Sequence, residues 1–193
     1  MNKSDRFAKI IRMITVVPIM ALATLVILYE FHPEIFQGIY QFILSIIFLT
    51  ILPLSAYPLQ PFLPKFRDKK REGQRNLAIV MGVLGYLFGI VFALSYHTTK
   101  ELLLIYLTYF LSGIGILLFN KVFKIRASGH ACGIVVPILI LTYFIGRKAL
   151  ISIVAILLVY WASIKMKRHT ALQLLWGSVI AIFAMIMALL QIS

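Results

Sequence analysis

Residues 124–146 read KIRASGHACGIVVPILILTYFIG. Two cations, Lys124 and Arg126, lead into Ser128-Gly129-His130, and the chain then stays apolar until Arg147. A bilayer crossing takes about 20 predominantly apolar residues, or about 17 at the short end. Residues 129–146 meet that length, so the stretch reads as a membrane helix entered from a basic loop. Ser128 is a favoured residue for capping its start. A histidine at the mouth of such a helix has two readings. It is either an amphipathic anchor at the membrane surface or part of a site that handles a negative group.

The rest of the chain extends the membrane reading. Of 193 residues, 62% are hydrophobic and 13% are charged, and mean hydropathy is +0.98. Soluble domains are roughly half apolar and about a quarter charged. Seven stretches are long and apolar enough to cross: about 8–29, 35–57, 76–96, 101–120, 129–146, 149–164 and 171–191. The fifth and sixth are short and joined only by Gly146, Arg147 and Lys148, so six crossings is the alternative count. The expected fold class is an all-α integral membrane protein. It forms one transmembrane domain, residues 1–193, built as a bundle of six to seven transmembrane helices. The apolar run from Ile10 to Tyr29 is too long for the core of a signal peptide and reads as a retained first span. Pro18, Pro53 and Pro137 fall inside spans, where kinks are expected. Gly85 and Gly89 form a GxxxG that predicts close approach of the third and fourth spans. Cys132 is the single cysteine, so no intrachain disulfide is possible.

Charge distribution assigns sides. The formal net charge is +13. A soluble domain this basic would suggest nucleic acid. Here the cations sit in loops between spans, which points instead to anionic lipid or phosphate. With seven crossings, sixteen of the nineteen Lys and Arg lie on one side: in the N-terminus and in the loops 58–75, 121–128 and 165–170. The opposite side holds Lys100, Arg147 and Lys148. The excess of short-loop cations predicts a multi-pass cell-membrane protein whose N-terminus and basic loops are cytoplasmic.

Three of those basic segments can converge: RDKKREGQRN (67–76), KVFKIRASGH (121–130) and KMKRHTALQ (165–173). They bring His130 and His169 to one face among many cations. Arginine holds phosphate oxygens in a bidentate fork, and helix N-termini add unpaired N–H groups. Two histidines there suit phosphoryl transfer, one as nucleophile and the other as acid. Each residue also has a structural reading. Ser128 caps a helix, Gly129 permits a turn, and Thr170 with Gln173 has capping-box spacing. His32 and His97 lie on the other face and read only as interfacial anchors.

In order and sidedness the three segments resemble the signature motifs of the type 2 phosphatidic acid phosphatase (PAP2) superfamily of membrane lipid phosphatases. Its patterns are K-x6-R-P, P-S-G-H and S-R-x5-H-x3-D. Ala127-Ser128-Gly129-His130 matches S-G-H, and His169 with Gln173 matches H-x3-D with Gln for Asp. The HTxxQ form resembles a short prokaryotic subgroup. The likeness covers residues 65–191, with motif loops at 67–76, 124–130 and 163–173, and leaves the first span outside. It implies a PAP2-like bundle and a phosphoric monoester or diphosphate hydrolase, acting on a lipid phosphate or isoprenoid (di)phosphate through a phosphohistidine. The implied catalytic residues are His169 as nucleophile, His130 as leaving-group acid and Gln173 orienting His169. Arg75, with Lys69 or Arg71 for the family lysine, would bind phosphate together with Ser128 and Gly129.

The chain departs from the pattern at three places. Asp68 stands at the first motif's lysine position and Asn76 at its proline. Ser163 stands where the third motif has arginine. Two readings follow: an enzyme with a rearranged pocket, or a PAP2-like protein that binds lipid phosphate without turning it over. No cofactor or metal is expected. The only acidic residues are Asp5, Glu30, Glu34, Asp68, Glu72 and Glu101, with no DxxxD cluster, and Mg²⁺ sites need carboxylates. Expected partners are a lipid phosphate and membrane lipids, not nucleic acid. Oligomeric state is open. Charges inside spans mark transport pathways. Their scarcity here leaves a small transporter or scaffold as the weakest reading.

Overall fold

A computed structural model describes residues 2–192, with the side chains of Arg71 and Leu150 outside the description. The described chain is helical throughout, with no strands. Ten α-helices follow in order: α1 (Lys3–Ile14), α2 (Val17–Phe31), α3 (Ile39–Ile46), α4 (Leu52–Leu59), α5 (Pro64–Arg67), α6 (Lys70–Ser95), α7 (Lys100–Lys121), α8 (Gly129–Ile145), α9 (Ile153–Lys165) and α10 (Ala171–Ile192). A π-helical turn, Ile47–Ile51, joins α3 to α4 into one continuous rod.

Five stretches are long and apolar enough to cross a membrane: Ile39–Phe62, Glu72–Ser95, Lys100–Lys121, Gly129–Ala149 and Ala171–Ile192. The first predicted span is different. It is two helices, α1 and α2, meeting at 61°, and counting the pair as one crossing gives six. Where a kink was expected at Pro18, the chain breaks outright. Val16 is extended and caps α2, and the proline ring has no N–H to continue a ladder from α1. The predicted 149–164 span is the 13-residue helix α9. At 1.5 Å per residue it is roughly 20 Å long, short of the ~30 Å hydrocarbon core.

Packing centres on α8. It touches α2, α7, α9 and α10, and every residue from Ala131 to Ile138 is buried. Its Gly, Ala and Cys residues let neighbours approach from all sides, and α8 runs through Pro137 without interruption. Close approach elsewhere differs from the sequence expectation. Gly89 does face Tyr106 of α7, but a Cβ on Gly85 would strike the Phe48 carbonyl in the π-helical turn. Gly85 therefore seats α6 against the second span. The outermost piece is α1, which docks on α9 with Ala8 and Ile11 buried and the Phe7 ring on Trp161. Its other apolar residues, Ile10, Met13 and Ile14, point outward.

Candidate functional site

The N-termini of α8 and α10 are held side by side. The amide of Ser128 donates to the Gln173 carbonyl at 2.9 Å. Nearly two turns into α10, Gly177 lies so close to the Ser128 carbonyl that a Cβ would come within 2.3 Å of it. Only glycine lets these two helix starts meet. Ser128 is fully buried and caps α8, its Oγ accepting from the Ala131 amide at 3.2 Å. The first amides of α8, at Gly129 and His130, have no acceptor within their own helix. Gly129 has an ordinary helical φ, and a Cβ on it would meet only Ile116, at 3.8 Å. Neither backbone nor packing demands glycine there.

His169 arrives by a tight reversal after α9. The Arg168 amide donates to the Ser163 carbonyl at 3.0 Å and the Lys167 amide to Ile164 at 2.9 Å. Lys167 takes a left-handed φ of 52°. This is the Schellman pattern, with lysine where glycine is usual. Thr170 and Gln173 then form the capping box: the Gln173 amide donates to Thr170 Oγ1 at 3.3 Å, and Gln173 Oε1 accepts from the Thr170 amide at 3.4 Å. The same Oε1 lies 3.1 Å from His169 Nδ1. A carbonyl oxygen only accepts, so Nδ1 carries the proton and Nε2 keeps its lone pair. One atom, Gln173 Oε1, thus meets both the Thr170 amide and the His169 ring.

Arginines from three separate elements act on the His169 ring. Burial lowers its pKa most, the Gln173 hydrogen bond opposes this, and the charges of Arg12, Arg126 and Arg75 lower it further. His130 lies within electrostatic reach of both Arg12 and His169. Among the described residues, no carboxylate figures among the groups acting on either ring. Arginines around a histidine pair oppose a bound cation and favour an anion.

The predicted residues divide as follows. His130, His169, Gln173, Ser128, Gly129 and Arg75 come together. Lys69 is exposed at the entry to α6, with no link to either ring among the described residues. The Arg71 side chain lies outside the described residues. Three further residues belong to the cluster. Arg126 stands in the opening loop, whose end is pinned by Asn120 Nδ2 donating to the Ala127 carbonyl at 3.2 Å. Arg12 and Thr15 come from the end of α1. Arg12 Nη1 donates to Ser163 Oγ at 2.6 Å. Thr15 Oγ1 gives its proton to the Ile11 carbonyl at 2.7 Å and lies 3.0 Å from His130 Nε2. Having spent its proton, the hydroxyl accepts from Nε2–H. The sequence carried one signal for Arg12, a cation interrupting the first apolar stretch. Thr15 carried none.

A cleft of about 590 Å³ lies elsewhere. It is lined by Gln37, Tyr40, Gln41, Phe48, Phe92 and Tyr96 at the other end of the bundle. No His, Asp, Glu, Lys or Arg lines it, so chemistry rather than volume singles out the histidine cluster. Comparison with protein families, characterised proteins and solved structures found no match to this chain.

Proposed function

We propose that the protein is a PAP2-type membrane lipid phosphatase. It would hydrolyse a lipid phosphate or isoprenoid (di)phosphate without metal, in a membrane bundle whose basic end is cytoplasmic. The observation that carries the reading is His169. Its Nδ1 is bound to Gln173 Oε1, its Nε2 is left nucleophilic, and three arginines act on the ring. Arg75 and the amides at Gly129 and His130, which have no acceptor within their own helix, supply donors for phosphoryl oxygens, and the absence of a side chain at Gly129 leaves room for them.

The chemistry runs in two steps. The Nε2 lone pair of His169 bonds to phosphorus as the P–O bond to the lipid alcohol breaks. The negative charge of the bound phosphate offsets Arg12 and lets the neutral His130 ring take up a second proton; His130 then gives its Nε2 proton to the leaving oxygen, exchanging Thr15 for the substrate as its hydrogen-bond partner. Water then attacks the phosphohistidine and His130 takes a proton from it. The P–N bond breaks and inorganic phosphate leaves, with both histidines restored. Serine at position 163 and a neutral amide at position 173 favour a second reading, lipid-phosphate binding without turnover.

Purified protein in detergent with EDTA, given phosphatidate or a polyprenyl diphosphate, is expected to release phosphate and to trap ³²P on His169 after acid-free quenching. Binding of these lipids with no release from any of them would replace the first reading with the second.

A further inference from the structure

The end of α1 reaches into the histidine cluster by two side chains one turn apart. Thr15 meets His130, and Arg12 meets Ser163. Ser163 is fully buried in α9, six residues before His169. The contact at 2.6 Å joins positions 151 residues apart in sequence. Arg12 is the charge that acts on both histidines, whereas Arg75 and Arg126 act on His169 alone. A guanidinium is a rigid fork of five donors, wide enough to hold a serine hydroxyl and a phosphoryl oxygen together. The rest of α1 is built to keep that fork in place. Ala8 and Ile11 are buried against α9 and Phe7 rests on Trp161. The outward face, Phe7, Ile10 and Ile14, is apolar and more than half exposed, so it suits a helix lying along lipid at headgroup depth.

We propose that Arg12 is a phosphate ligand of this site, with buried Ser163 anchoring its guanidinium, so that α1 delivers the charge that position 163 itself lacks. The proposal rests on the phosphatase reading for its substrate, but its core, an arginine that binds the phosphoryl group, is separable from turnover. A docking bond between two helices would put the same two atoms together, and the experiment has to tell these roles apart. The small side chain at position 163 allows this. With Arg12 cut back to alanine, a longer residue at 163 has the vacated space to enter and can return a guanidinium to the same place without restoring the α1 contact.

The experiment measures phosphate release from phosphatidate and, separately, binding of inorganic phosphate. The proteins are wild type, Arg12→Ala, Arg12→Ala with Ser163→Arg, and Lys9→Ala, an exposed cation on the same helix. Removing one charge-assisted ligand of a developing phosphoryl charge costs about 10²–10³ in rate. Arg12→Ala is expected to lose that much in kcat/KM and to bind phosphate weakly. The double variant is expected to regain about tenfold or more of the rate by restoring a charge-assisted donor. Lys9→Ala should leave both unchanged. An Arg12→Ala protein that keeps both activities overturns the proposal. So does one that loses both and is not recovered by Ser163→Arg, because that is the behaviour of a helix dock. If wild type binds phosphate with this dependence on Arg12 and Ser163 but releases none from lipid, the ligand assignment stands and the hydrolase reading falls. If wild type neither binds nor releases phosphate, both fall.

Discussion

The four histidines divide between the two ends of the bundle, and the ends treat them differently. At one end, His32 Nδ1 lies 2.8 Å from Glu34 Oε1 on the same short turn, and that hydrogen bond holds the exposed Glu34 carboxyl below its usual range. His97 is exposed, in a left-handed turn with φ of 47°. Local sequence neighbours and water account for both. At the other end, His130 and His169 are reached by groups from α1, α6, α10 and the loop before α8. Their charged neighbours are arginines rather than carboxylates. A histidine beside a carboxylate is a satisfied ion pair. Histidines among arginines sit in positive potential, which favours an anion over a cation.

The sharpest way to break this contrast is substitution. His169→Ala is expected to abolish phosphate release, and His130→Ala to lower kcat by about 10²–10⁴, the usual worth of a positioned acid. Alanine at His32 or His97 should change neither. A comparable loss at His32 would show that the two ends do not differ as argued.

A pH profile sharpens the electrostatic half of it. The His169 pKa lies below its ordinary value of 6.5, through burial first and then through Arg12, Arg126 and Arg75. The neutral ring therefore persists below pH 6.5, and kcat/KM should fall only as pH drops through the lowered pKa. Stability has the same sign: the contribution is present above 6.5 and lost as pH falls through the folded value. Arg75→Ala removes one lowering charge, so the acid limb should move up toward 6.5 while maximal rate drops. A limb that stays put would mean Arg75 is too distant to act.

Smaller effects test the geometry of the helix starts. Gly177→Ala places a methyl 2.3 Å from the Ser128 carbonyl, and this overpacking is expected to cost about 1–3 kcal/mol in a melting experiment. Gly129→Ala meets nothing closer than 3.8 Å, so it should melt like wild type yet bind phosphate less well. Last, Lys167→Gly relieves a left-handed lysine and should stabilise by about 1 kcal/mol.

How much of this was legible beforehand follows from the range of the interactions involved. The cap at Ser128 and the box at Thr170–Gln173 are local, set by residues three or four apart, and the sequence reading of them stands, as do five of the seven spans; the first is broken and the sixth is the short α9. The pairing of His130 with His169 came from counting crossings, which assigns loop ends without knowing any contact. By contrast, hydropathy ranks α8 below the other four long spans, yet it is the central helix. Burial there depends on small residues that admit neighbours, a property of the assembled bundle.

The sequence by itself determined a helical membrane bundle with a basic, histidine-bearing end, because apolar length and loop charge are properties of single segments. Tertiary structure alone decided the docking of α1 on α9 and the meeting of Arg12 with Ser163. No pattern within either segment encodes that meeting. It arises where a proline-terminated helix folds back far enough to bring an arginine to a buried serine 151 residues away.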